Sequence, residues 1–141
     1  RDISTFGGCT AGPAAALVNM QIIEDENLLE NVTVQGEYLR DRLNQLMENH
    51  PLIGDVRGKG LFAGFEMVKD RETKEPVDES VAMAVAAHCM SNGVIIGRTN
   101  RSFETLNNTI CLAPSLIATK ADIDQIVYAL DEAITEVSKS L

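Results

Sequence analysis

The sequence predicts an α+β domain built on a small, largely antiparallel sheet covered by helices. Three observations carry this. Apolar residues recur at helical spacing in four stretches, near 10–23, 28–49, 78–90 and 119–137. Between them lie short apolar stretches, one of which alternates with period two. The order helix, helix, strand, helix, strand, strand, helix leaves few strands for the helices to cover.

Thr10 is placed to cap the first helix, and Pro13 falls in its first turn, where a missing N–H costs nothing. Ala14, Ala15, Ala16, Leu17, Val18, Met20, Ile22 and Ile23 make this helix apolar on most sides. Such a helix is expected to bury itself against a sheet or another subunit. Asp25-Glu26-Asn27 interrupts the pattern. A long helix over about 28–49 follows, with Leu28, Val32, Leu39, Leu43 and Leu46 near helical spacing and Pro51 as its stop. Residues 56–68 read as one strand, with Leu61, Ala63, Phe65 and Met67 on one face. Residues 69–76 read as a charged loop. Asp78 caps the third helix, and Asn92-Gly93 supplies its left-handed stop. Val94-Ile95-Ile96-Gly97 and Thr109-Ile110-Cys111-Leu112-Ala113 read as short strands, joined by a polar connection over 98–108. Thr119-Lys120-Ala121-Asp122 is a capping box that opens the last helix.

The 141 residues suit one domain, and 45% hydrophobic content argues for a packed core. With a net charge of -9 and no run of basic residues, the chain lacks the face that nucleic acid requires. Cys9, Cys89 and Cys111 are odd in number and widely spaced, and His50 and His88 stand apart from them. A disulfide framework or a metal site is therefore not expected, and reduced thiols point to the cytoplasm. The start at Arg1 shows no signal-peptide pattern, and no apolar run reaches the ~18 residues of a membrane span. A start without Met suggests a piece of a longer chain.

Few residues carry chemical potential. Gly58-Lys59-Gly60 lacks the hydroxyl residue of a phosphate loop and runs into a strand, so tight packing accounts for it. Thr5, Gly7, Gly8 and Thr10 precede a helix; they fit a phosphate cradle and also an ordinary capped turn. Arg98 and Arg101 lie in the polar connection, where an arginine can fork a carboxylate or sulfonate or simply be solvated. The histidines read as helix-surface or boundary residues, and the cysteines as small hydrophobes.

Four blocks in order resemble the C-terminal part of the class III aminotransferases, pyridoxal-phosphate enzymes of fold type I. These are Thr5-Phe6-Gly7-Gly8 with the alanine-rich helix, the stretch 54–66 with Arg57-Gly58-Lys59-Gly60-Leu61, the Asn92-Gly93-Val94 turn, and Leu112-Ala113-Pro114-Ser115-Leu116 followed by Asp122 and Ile123. The segment from Ile96 to Ser102, with Asn107-Asn108-Thr109, resembles the branch that acts on taurine and pyruvate.

The resemblance implies a pyridoxal 5'-phosphate cofactor, with Thr5, and Ser4 beside it, reaching the cofactor phosphate of a neighbouring subunit in a homodimer. It implies that Arg98 holds the acidic end of the substrate, with Arg101 as its rival. It places residues 1–27 at the end of the large cofactor-binding domain and 28–141 in the C-terminal small domain with its linking helix. Where ornithine-type members carry an α-carboxylate arginine, this chain has Cys111, which favours an ω-amino acid or aminosulfonate donor. The family's Schiff-base lysine precedes the Thr5 position by some tens of residues, so no catalytic residue falls in this chain and the chain alone is expected to be inactive. Two alternatives stay open: another ω-amino-acid or 4-aminobutyrate aminotransferase, and a non-catalytic metabolite-binding or dimerisation module.

Overall fold

A computed structural model describes residues 5–99 and 107–141. Four helices and five strands follow in order: α1 (Ala11–Asp25), α2 (Leu28–Asn49), β1 (Ile53–Lys59), β2 (Phe62–Asp70), β3 (Glu75–Pro76), α3 (Glu79–Ser91), β4 (Gly97–Arg98), β5 (Thr109–Leu112) and α4 (Lys120–Ser138). The sheet runs β1-β2-β5-β4, every neighbouring pair antiparallel, and β3 adds to the far end of β2. The α+β architecture expected from the sequence is the one observed.

One expected strand is two. Residues 56–68 do not run straight: the chain turns back at Gly60-Leu61, and β1 pairs with β2 from Ile53↔Met67 to Lys59↔Phe62. Gly60 sits at φ +56, a left-handed conformation that a side chain disfavours. The apolar alternation begins only at the turn and runs along β2, so the period gave no sign of the strand before it. The expected loop 69–76 is partly strand, since β2 extends to Asp70 and Glu75-Pro76 pairs back onto it.

A second correction concerns 94–97. Val94-Ile95-Ile96 is apolar but forms no strand; the ladder is Gly97↔Cys111 and Arg98↔Ile110. Val94 is buried, whereas Ile95 is 83% exposed.

Side chains alternate across the sheet. Phe65, Met67, Ile110 and Leu112 face the helices and join Leu39, Leu43, Val85, Ile123, Leu130 and Ile134 in one continuous core. Glycine allows one close approach in it. A Cβ on Gly36 of α2 would stand 2.5 Å from the Gly60 backbone, so the helix lies directly on the hairpin turn.

The helix ends follow local chemistry. The Asp78 carboxylate accepts from the Ser80 N–H at 2.9 Å, and Gly93 at φ +79 ends α3. Thr119 and Asp122 form the reciprocal capping box of α4. Thr119→Ala removes that cap and should lower stability by about 1 kcal/mol, read as a shifted urea midpoint at unchanged slope. The C-terminal end of α2 has an unanticipated partner. The Arg71 guanidinium donates to the carbonyls of Ile53 (2.8 Å), His50 (2.8 Å) and Met47.

α1 is different. It packs on α2 but contains no buried residue, and Leu17, Val18 and Met20 stand exposed. Its joint to α2 is Asn27, in the left-handed region at φ 50.

Candidate functional site

Two places hold residues with chemical potential. The first is the turn before α1. Residues 5–8 form a turn, closed by the Cys9 N–H donating to the Phe6 carbonyl at 3.1 Å, and Gly8 takes φ +86. Thr5 is exposed. Thr10 occupies the N-cap position as expected, but its side chain makes no cap bond. No acidic residue lies in the first turn of α1. Among the described residues, the N–H groups of Ala11 and Gly12 thus have neither a capping side chain nor a first-turn carboxylate to satisfy them, and Pro13 has none to offer. That donor set, with the Thr5 hydroxyl nearby in sequence, fits a phosphate. Ser4 lies outside the described residues.

The second place is the edge strand β4. Arg98 is not in a loop, as expected, but in the ladder opposite Ile110. Gly97 on the open face alternates with Arg98, which reaches toward the start of α3. Arg98 Nη1 donates to Glu79 Oε1 at 2.7 Å and to the Thr99 carbonyl at 3.1 Å. Asn107 Nδ2 donates to the other carboxylate oxygen of Glu79 at 3.3 Å. Arg98 first, then Asn107, holds the Glu79 carboxyl below its ordinary range. Sequence reading missed Glu79, which lies 19 residues from its partner with no periodic signal to link them. Arg101 lies outside the described residues. No hydrogen bond or ion pair joins Thr5 to Arg98 among the described residues.

The open face of the sheet carries Phe62, Gly64, Glu66, Thr109 and Cys111. Cys111 sits between Gly64 and Gly97 across the ladder. It lines a cleft of about 350 Å³ with Ile95, Ile96, Gly97, Pro114 and Ile126 among its other walls. Arg57 closes one side of this face, paired to Asp55 (2.5 Å) and Glu66 (3.1 Å). No arginine stands at the Cys111 position to grip an anion.

His50 and Cys89 are built into the packing. His50 sits at the α2 boundary, as expected, but is buried, with Nε2 2.5 Å from Asp131 Oδ1 on α4. Cys89 is fully buried; its thiol donates to the Ala129 carbonyl at 3.5 Å, and burial pushes its pKa up to about 11. Cys9, by contrast, is exposed rather than packed as a small hydrophobe. At pH 8 about one Cys89 thiol in a thousand is ionised. A thiol reagent should therefore modify Cys9 quickly and Cys89 only after denaturant is added; rapid native modification of Cys89 would contradict its placement. Among the described residues, no group of three or more His, Cys, Asp or Glu is placed to hold a metal. Nor is any helix among them long and apolar enough to cross a membrane.

The "Aminotransferase class-III" family matches residues 2–134. A taurine–pyruvate aminotransferase of Bilophila wadsworthia is 62% identical over 139 residues, 99% of this chain and 30% of that protein. The crystal structure of a Bacillus anthracis aminotransferase superposes with a TM-score of 0.92 at 42% identity, over 96% of this chain and 30% of that one. An amine transaminase from an uncultivated Pseudomonas species, solved with pyridoxal phosphate bound, gives a TM-score of 0.86 at 30% identity, over 96% and 30% of the two chains. The chain thus spans about 30% of the length of the relatives it matches.

Proposed function

The chain belongs to the class III aminotransferase family, and from this we propose that it is the C-terminal part of an enzyme that moves the amino group of taurine, or a related ω-amino acid, to pyruvate. The similarity to a taurine–pyruvate aminotransferase at 62% identity is the observation that carries the reading. Pyridoxal phosphate, when bound in the whole enzyme, supplies the electron sink and carries the amino group between donor and acceptor. This chain's contribution is binding and orientation.

Thr5 and the uncapped start of α1 offer hydroxyl and N–H donors to the cofactor phosphate, with Ser4 beside them. Residues 1–27 then belong to the cofactor-binding domain and 28–141 to the small domain; the left-handed joint at Asn27 supports that division. The bare apolar sides of α1 support its being covered in a homodimer of longer chains. Arg98 takes the sulfonate or carboxylate of the substrate, with Arg101 as the competing candidate. The absence of an arginine at Cys111 supports a donor without an α-carboxylate. Reduced, unpaired cysteines support a cytoplasmic setting.

The test is an amino-transfer assay with taurine and pyruvate on the full-length polypeptide and on residues 1–141 alone. The expected result is alanine and a sulfonated aldehyde from the first and no turnover from the second. Turnover by the 141-residue chain, or a full-length enzyme that accepts only α-amino donors, would refute the reading.

A further inference from the structure

We propose that Glu79 is the positioning residue of Arg98, fixing one end of its guanidinium so that the Nε–Nη2 edge is presented to a carboxylate or sulfonate. This rests on the reading of Arg98 as the anion-binding arginine.

Hydrogen counting carries the inference. Nη1 of an arginine has two hydrogens. In Arg98 they go to Glu79 Oε1 at 2.7 Å and to the Thr99 carbonyl at 3.1 Å. Among the described residues, nothing accepts from Nε or Nη2. Those two nitrogens form the side-on fork whose spacing matches two oxygens of a carboxylate or sulfonate. The side chain keeps 23% of its surface open, so the fork is not sealed in the core.

Glu79 is itself anchored. It lies in the first turn of α3, next to the Asp78 cap, where the helix dipole favours a negative charge. Its second oxygen accepts from Asn107 at 3.3 Å. Arg98 is fixed from the other side by the β4–β5 ladder. A free arginine must lose several torsions to grip an anion, and here most of that ordering is already done. The charges of the pair cancel, so geometry rather than net charge decides what binds.

The experiment uses the full-length holoenzyme. Two quantities are read: KM and kcat for taurine, and the competitive inhibition constant of ethanesulfonate, which has the sulfonate but no amine. Arg98→Ala and Arg98→Lys come first. If neither weakens ethanesulfonate, Arg98 does not bind the anion and the underlying reading fails. If they do, Glu79→Ala is expected to raise the ethanesulfonate constant and the taurine KM together by about tenfold, with a much smaller change in kcat. Glu79→Gln keeps an acceptor oxygen for Nη1 and should stay within about threefold of the parent. Where the alanine variant does not fold, Glu79→Asp, which withdraws the carboxylate by one methylene, should raise both constants several-fold. An unchanged inhibition constant in Glu79→Ala would overturn the proposal. So would a lowered one, because Glu79 would then be competing with the ligand, and so would a loss confined to kcat.

Discussion

Gly36→Ala should destabilise the chain by about 2 kcal/mol, against the rule for helices. In an exposed helix interior the same swap stabilises by up to about 1 kcal/mol, because alanine loses less backbone entropy. Here the added Cβ would stand 2.5 Å from the Cα and carbonyl carbon of Gly60 and 2.6 Å from its oxygen. None of these is a flexible side-chain end. Either α2 must retreat from the hairpin or the turn at φ +56 must deform. Gly12 in α1 is the internal control, since a Cβ there meets nothing within 4 Å. Gly12→Ala should be neutral or slightly stabilising. Thermal melts of the two variants should therefore move in opposite directions, with Gly36→Ala lower by several degrees. Two shifts of the same sign would mean that helix propensity outweighs the contact.

Phe65→Ala should cost about 4 kcal/mol. Phe65 is completely buried in the middle of β2, between the sheet and the helices. Removing its ring loses the transfer energy and leaves a cavity that a strand paired on both sides cannot close. For a domain of ordinary stability that is a large share of the total. Phe62 in the same strand points to the open face and is 72% exposed. Phe62→Ala should change stability by less than about 0.5 kcal/mol. Urea unfolding of the pair separates the faces of the sheet; equal losses would refute the assignment of sides.

The helices were legible because their signals are local. Asp78 and the Thr119–Asp122 box announce starts, Asn92-Gly93 and Pro51 announce stops, and the observed helices begin or end beside these residues. The hairpin was not legible. Leu61, Ala63, Phe65 and Met67 alternate only from the turn onward, and Val56 to Gly60 before it carries no alternation of its own to mark a separate strand. At 94–97 the apolar run pointed to Val94-Ile95-Ile96, but the strand is set by where β5 offers partners, and that is Gly97 and Arg98.

Family membership was legible in four ordered blocks, and in one of them, 54–66, Gly60 stands where α2 lies directly on the hairpin turn. The surroundings of Arg98 were not. Glu79 meets Arg98, and Asn107 meets Glu79, only once α3 has folded over the sheet edge. Likewise nothing in the sequence joins His50 to Asp131, 81 residues away, or Arg71 to the carbonyls of Met47 and His50 at the end of α2.

α1 hangs from the rest by a single left-handed residue and one helix neighbour, with none of its side chains sequestered. Its amide hydrogens can therefore open to solvent without disturbing the core, while those of β2 open only when the whole domain does. Exchange with deuterated water separates the two classes directly. In the isolated 141 residues α1 labels early, and in an assembly that covers its apolar sides it labels late. The first helix is in this sense a built-in reporter of whether its apolar sides are covered.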